Sequence, residues 1–250
     1  RRSSDLSNTQ EQLKKYAREE VEFAMYLPEA HLIPAVGALC ENSPVKVGCQ
    51  GVYRDDTAIG GGFGAFTTNR TANAAKAIGC TTTIIGHCEE RKDKAGILAE
   101  AGVTDTKAVN RLLNQEIKKA VSSGLSVLYC IGETSEEQER WKEVLKEQIA
   151  VGLEGVDKSL VTIAYEPIWA IGPGKIPPDK DYITMIGTYI KEITDGCDVV
   201  YGGGLKVDNA EMLASVPVMD GGLIALTRFQ GEIGFYPEEY LEIIKTYMGH

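Results

Sequence analysis

Two residues stand out for the side chain they carry and for where it falls. His87 follows the run Cys-Thr-Thr-Thr-Ile-Ile-Gly (80–86), and Glu166 follows Val-Thr-Ile-Ala-Tyr (161–165). Imidazole and carboxylate are groups that commonly carry protons in catalysis, and here each sits at the end of a strand-like stretch. A carboxylate in that position costs free energy unless it is paired or put to use. Glu166 is therefore either a working carboxylate or half of an ion pair, for instance with a lysine of a neighbouring strand end. His87 is one of three histidines; His31 and His250 lie outside any strand end. A lone histidine is often a packed or surface residue; its strand-end position beside glycine, with Glu89 two positions on, puts a functional role on an equal footing with that reading.

Glycine-rich segments follow the same strand ends. Ala170-Ile-Gly-Pro-Gly-Lys175 lacks the spacing of a nucleotide-binding loop, because Trp169 stands where the first glycine belongs and Ile176 follows the lysine. It is either a plain turn or a lid whose closure excludes water and offers backbone N–H groups to phosphate. Gly202-Gly-Gly204 is likewise a tight turn or a place where backbone amides approach a phosphate closely. The run Gly60-Gly-Gly-Phe-Gly64 is a weaker phosphate cradle, since no helix opening follows it directly.

These segments hang on a regular frame. Strand-like runs at 21–26, 45–49, 80–85, 125–131, 161–165, 199–201 and 222–225 alternate with helical patterns at 29–40, 70–78, 136–152, 179–194, 208–213 and 237–248. A long helical region ending near Gly124 fills the remaining interval. Continuous apolar strands alternating with helices predict a parallel sheet with helical crossovers. Residues 5–20 read as a helix capped by Asp5 or Ser7, with Glu11, Lys14, Lys15 and Arg18 on its wet side. Seven strands are visible, and a closed (β/α)8 barrel needs eight. The strand not visible in the sequence is the first. No linker divides the 250 residues, so the expectation is a single domain, residues 1–250, of a size usual for such a barrel.

Bulk properties narrow the function further. A formal charge of −10 argues against a nucleic-acid surface, though not against an anionic small substrate. No apolar run approaches the roughly 18 residues that span a bilayer, and the amino end does not read as a secretory signal. The six cysteines show neither a C-x-x-C pair nor zinc spacing, and several fall inside apolar runs. The expectation is reduced thiols in a cytoplasmic protein.

Taken together, seven segments resemble the triosephosphate isomerase family. They are Cys49-Gln50, Gly64-Ala-Phe-Thr67, Ile85-Gly-His-Cys-Glu89, Cys130-Ile-Gly-Glu133, Ala164-Tyr-Glu-Pro-Ile-Trp-Ala-Ile-Gly172, Tyr201-Gly-Gly203 and Asp220-Gly221, in the family's order. The resemblance implies an α/β fold, the (β/α)8 TIM barrel. It also implies an aldose–ketose isomerisation through an enediolate, with Glu166 as base, His87 as neutral electrophile and Glu89 as a supporting carboxylate. That pairing is the family's own and comes with the resemblance. The lid is then Pro167, Ile168, Trp169, Ala170, Ile171, Pro173, Gly174 and Lys175. Gly172, Gly203, Gly204, Ala225 and Leu226 match the phosphate-binding positions. No metal or organic cofactor is implied. The partners implied are a small phosphorylated sugar and a second copy of the chain, docked through the long loop 53–68 around Thr67.

The match has three departures. No Asn-x-Lys, which the family carries on its first strand, precedes Val21. The family's Gly-Gly step is Ala225-Leu226 here, with Arg228 nearby. Gly204 replaces the turn serine, and Glu90 stands where arginine is common. Besides a triose-phosphate isomerase, the departures leave open an isomerase of a four-carbon ketose phosphate, or a catalytically silent barrel that binds a phosphate ligand or a partner.

Overall fold

A computed structural model describes residues 2–61, 64–172, 174–228 and 231–249, with the backbone alone for residues 2–7 and 106. Seven strands form one sheet: β1 (Phe23–Leu27), β2 (Val45–Cys49), β3 (Thr82–Ile85), β4 (Ser126–Ile131), β5 (Val161–Tyr165), β6 (Val199–Tyr201) and β7 (Gly221–Gly222). Their spatial order is their sequence order, and every neighbouring pair is parallel. Parallel neighbours require a crossover, and helices supply them. The helices are α1 (Arg2–Leu13), α2 (Glu29–Gly37), α3 (Ala72–Ile78), α4 (Cys88–Glu100), α5 (Thr106–Ser122), α6 (Trp141–Gly152), α7 (Lys180–Thr194), α8 (Val207–Ala214) and α9 (Pro237–Tyr247). The curled, all-parallel sheet with its surrounding helices is that of a (β/α)8 barrel.

Alternation along the strands sorts side chains into two cores. On β4, Val127, Tyr129 and Ile131 join the large cluster between sheet and helices, where Ile163 and Tyr165 of β5 also pack. Leu128 and Cys130 face the other way and meet Ala164 in a small interior cluster, flanked by Tyr26, Ile84, Val200 and Leu223. Register puts Cys130 beside Ala164 and Ala164 beside Val200, one level of the interior.

The elements depart from the sequence pattern in three places. The helix expected at 5–20 runs Arg2–Leu13 instead. Leu13 is its last buried apolar side chain, and residues 14, 15 and 17–20 are exposed, so no packing sustains a further turn. Asp5 and Ser7 fall within this helix, and their side chains lie outside the described residues. The long helical region before Gly124 is two helices, α4 and α5. The strand expected at 222–225 pairs only at Gly221–Gly222. Its neighbour β6 ends at Tyr201 and turns at Gly202, leaving residues 224–226 without a strand to pair with. Among the described residues β7 has no pairing with β1, and a cleft of about 2320 Å³ runs from the barrel mouth down between these two edges. No helix among the described residues is long and apolar enough to cross a membrane.

Candidate active site

His87 owes its position to the turn between β3 and α4. Gly86 has φ +83°, and a Cβ there would lie 2.7 Å from the carbonyl of Cys130, so glycine alone fits without strain. The Gly86 N–H donates to Glu90 Oε2 at 2.6 Å, and its carbonyl accepts from Arg91 Nε at 2.8 Å. Arg91 also donates to the Cys130 carbonyl, the Tyr129 hydroxyl and Asn110 Oδ1, clamping the turn to β4. His87 then caps α4: its Nδ1 accepts the Glu89 N–H at 3.3 Å. That contact leaves the proton of a neutral ring on Nε2.

Glu166 follows β5 directly and is only 2% exposed. Gly132, at the end of β4, lies so close that a Cβ on it would collide with the Glu166 carbonyl. The Glu166 carboxylate accepts the Cys88 N–H at 3.0 Å through Oε2, and Oε1 lies 3.5 Å from His87 Nε2. Burial pushes its carboxyl above the usual range, against the pull of His87 and the Cys88 amide. A raised carboxyl is a stronger base once ionised, which suits proton abstraction. His87 feels opposing influences. The Cys88 thiol beside it, opposed by burial and helped by the Glu166 carboxylate, draws its pKa up to about 9. The Glu89 amide favours the neutral ring, because an imidazolium has no lone pair to receive that N–H. When the ring is neutral, this contact at Nδ1 places its proton on Nε2, facing the Glu166 carboxylate.

The structure brings the other expected residues to the same cleft in part. Gly172, Gly174, Lys175, Ile171, Gly203, Gly204, Ala225 and Leu226 line it with His87, Glu89 and Glu166. The N–H groups of Gly172, Gly203, Gly204, Ala225 and Leu226 meet no acceptor among the described residues, which makes them donors available to an anion. Glu89 contributes its amide to His87, while its side chain is exposed. Arg228 takes no part: it pairs with Glu239 at 2.5 Å and stacks on Tyr236.

The front of the segment expected to form a lid is folded against the barrel and does not line the cleft. Pro167 opens a short 3-10 turn, Ile168–Ala170, and Ala170 is buried. Trp169 Nε1 donates to Glu133 Oε1 at 2.7 Å, and Tyr165 and Tyr182 donate their hydroxyls to the same oxygen. Pro173 lies outside the described residues. Beyond it the chain is open, with Ile176 81% exposed.

Four residues absent from the expected site hold or flank it: Cys88, Arg91, Glu133 and Lys206. Cys130-Ile-Gly-Glu133 carried a signal as a strand end, but nothing in spacing says that Glu133 anchors Trp169. Lys206, two residues past the glycine turn, lines the cleft beside the free amides.

Comparison with known proteins bears on this geometry. The family model described as triosephosphate isomerase matches residues 2–246. A triosephosphate isomerase of Chlorobium luteolum is 35% identical over 208 residues, 79% of this chain and 76% of that protein. One from Pelodictyon phaeoclathratiforme is 38% identical over 194 residues, 73% and 70% of the two chains. One from Leptospira interrogans is 32% identical over 216 residues, 80% and 79%.

Proposed function

The chain belongs to the triosephosphate isomerase family, and from that premise we propose that it interconverts glyceraldehyde 3-phosphate and dihydroxyacetone phosphate, with Glu166 and His87 performing the proton transfer. The observation that carries this is their meeting at the carboxyl ends of β3 and β5, 3.5 Å apart, where barrels of this kind place their chemistry.

Each residue has a definable task. Glu166 releases the Cys88 amide and takes the proton from the carbon next to the substrate carbonyl. It returns that proton to the neighbouring carbon, which exchanges aldehyde for ketone. His87 hydrogen-bonds the carbonyl oxygen through its Nε2–H, where charge builds as the enediolate forms. It relays the proton of the neighbouring hydroxyl to that oxygen, so that the hydroxyl oxygen becomes the new carbonyl and the ring recovers its proton. The free amides of Gly172, Gly203, Gly204, Ala225 and Leu226 receive the phosphate, with Lys175 and Lys206 adding positive charge at the rim. The lid, Pro167 to Lys175, closes over this anion and excludes water, which protects the enediolate from side reactions.

The enzyme works as a homodimer in the cytoplasm. Supporting the dimer, loop 53–68 forms neither helix nor strand among its described residues and carries a fully exposed Ile59, while Thr67 is also exposed. Supporting the cytoplasm, all six cysteines are free.

The decisive test is turnover of glyceraldehyde 3-phosphate by the purified chain, with a tetrulose phosphate assayed in parallel. Faster turnover of the triose supports this reading. Turnover of the tetrulose alone would move the substrate to four carbons, and turnover of neither by a folded chain would leave a silent barrel.

A further inference from the structure

The residue between the histidine and the helix it caps is a cysteine, and its sulfur has no task in the chemistry above. It lies 3.8 Å from His87 Nε2 and 4.0 Å from Nδ1. One ligand atom from each of His87, Cys88 and Glu166 falls within 4.8 Å of the others. We propose that these three side chains form a binding site for zinc or a similar borderline-soft divalent cation, and that the cation competes with catalysis by occupying its base and its electrophile.

The donor set selects the ion. One imidazole nitrogen, one thiolate and one carboxylate oxygen are the ligand types zinc takes, and three protein ligands leave a fourth, open position facing the cleft. A tetrahedral ion at bond lengths of about 2.0–2.3 Å holds its ligands about 3.3–3.6 Å apart. The observed separations of 3.5 Å (Nε2 to Glu166 Oε1) and 3.8 Å (Nε2 to Cys88 Sγ) need only a small contraction. The third edge, from Cys88 Sγ to the Glu166 carboxylate, lies within 4.8 Å and closes by a turn of the Cys88 side chain. Magnesium, which demands an octahedral oxygen shell, does not fit.

The surroundings hold the ligands in place. Glu166 is buried and tied to the Cys88 amide, so its carboxylate needs little ordering. His87 and Cys88 are adjacent in a turn that Glu90 and Arg91 clamp at Gly86. Opposing the ion is the ring's proton. Coordination of the neutral ring through Nε2 moves that proton to Nδ1. A proton on Nδ1 gives up the Glu89 contact, which at 3.3 Å is long and weak. The thiol loses its proton to solvent as the Zn–S bond forms, so binding releases protons. This inference rests on the isomerase reading only for its consequence, inhibition; the cation site stands on the three donors alone.

The test titrates zinc chloride into the full chain by calorimetry and, separately, into the isomerase assay, each rate referred to the same variant's zinc-free rate. We expect one zinc per chain, loss of turnover over the same concentration range, reversal by a chelator and no such effect from magnesium. Cys88→Ser should bind zinc at least about tenfold more weakly, and Cys88→Ala should match it, while Cys40→Ser should bind as the parent does. Melting curves confirm that each variant is folded. Equal zinc affinity in Cys88→Ser or Cys88→Ala overturns the proposal, as does zinc bound through Cys88 without inhibition of an active enzyme. A chain that isomerises nothing yet binds zinc through Cys88 would refute the isomerase reading and leave the cation site standing.

Discussion

Trp169 donates its indole N–H to Oε1 of Glu133 at 2.7 Å, tying the Ile168–Ala170 turn, the first of the proposed lid, to the end of β4. The carboxylate it binds is fully buried, and burial raises its pKa despite three donors on that oxygen. Its other oxygen, Oε2, has no partner among the described residues. Such a group depends on every donor it has. Trp169→Phe keeps an aromatic ring but removes the shortest of these hydrogen bonds. We expect a stability loss of about 1–3 kcal/mol and faster amide exchange across residues 168–172. In the parent, a bound substrate analogue should slow exchange at these amides and at Gly174. Exchange identical with and without the analogue would contradict the lid.

The loop 53–68 gives a second test. Ile59 stands fully exposed on it, a large aliphatic side chain available to a docking surface. Ile59→Asp should shift sedimentation from dimer to monomer at micromolar concentration while leaving the melting curve of the monomer cooperative. A parent chain that sediments as a stable monomer would refute the dimer.

Behind the His87 turn, Glu90, Lys94 and Glu116 form a half-buried cluster, with Lys94 Nζ 3.0 Å from Glu90 and 2.9 Å from Glu116. Burial and the neighbouring Glu90 carboxylate push Glu116 up to about 8, while the Glu116 carboxyl, Lys94 and the Gly86 amide hold Glu90 low against its own burial. Between the ordinary value of 4.5 and about 8, the folded chain therefore keeps a proton that the unfolded chain has lost. The stability this contributes is full below about pH 4.5 and is lost as pH rises towards 8. Glu116→Gln carries no such proton. Denaturant melts at pH 5 and pH 8 should show the parent losing more stability than the variant, by on the order of a few kcal/mol. Parallel profiles would refute the assignment.

The sequence displays the strand order, because buried parallel strands read as continuous apolar runs between helical patterns. It displays Glu166 and His87 because each ends such a run. It overstates the last strand: residues 223–225 are apolar enough, but a ladder needs a neighbour, and β6 has already turned away at Gly202. It hides the partners of the site for the same reason. Glu133 with Trp169 and Cys88 with Glu166 are separated by 36 and 78 positions, and only the curl of the sheet brings them together. Arg228 reads as an odd charge near a phosphate site until Glu239 and Tyr236 are seen to hold it aside.

The base itself is the most direct test. Glu166→Asp withdraws the carboxylate by about 1 Å, a misplacement that can cost on the order of 10²-fold in proton-transfer rate. Phosphate binding should hardly change, since the proposed site takes the phosphate mostly through backbone amides of Gly172, Gly203, Gly204, Ala225 and Leu226. Turnover of glyceraldehyde 3-phosphate by the parent and by Glu166→Asp, each with its melting curve, should show a fall of about that size in kcat with little change in KM or Tm. Full activity in a folded Glu166→Asp chain would mean that Glu166 is not the base.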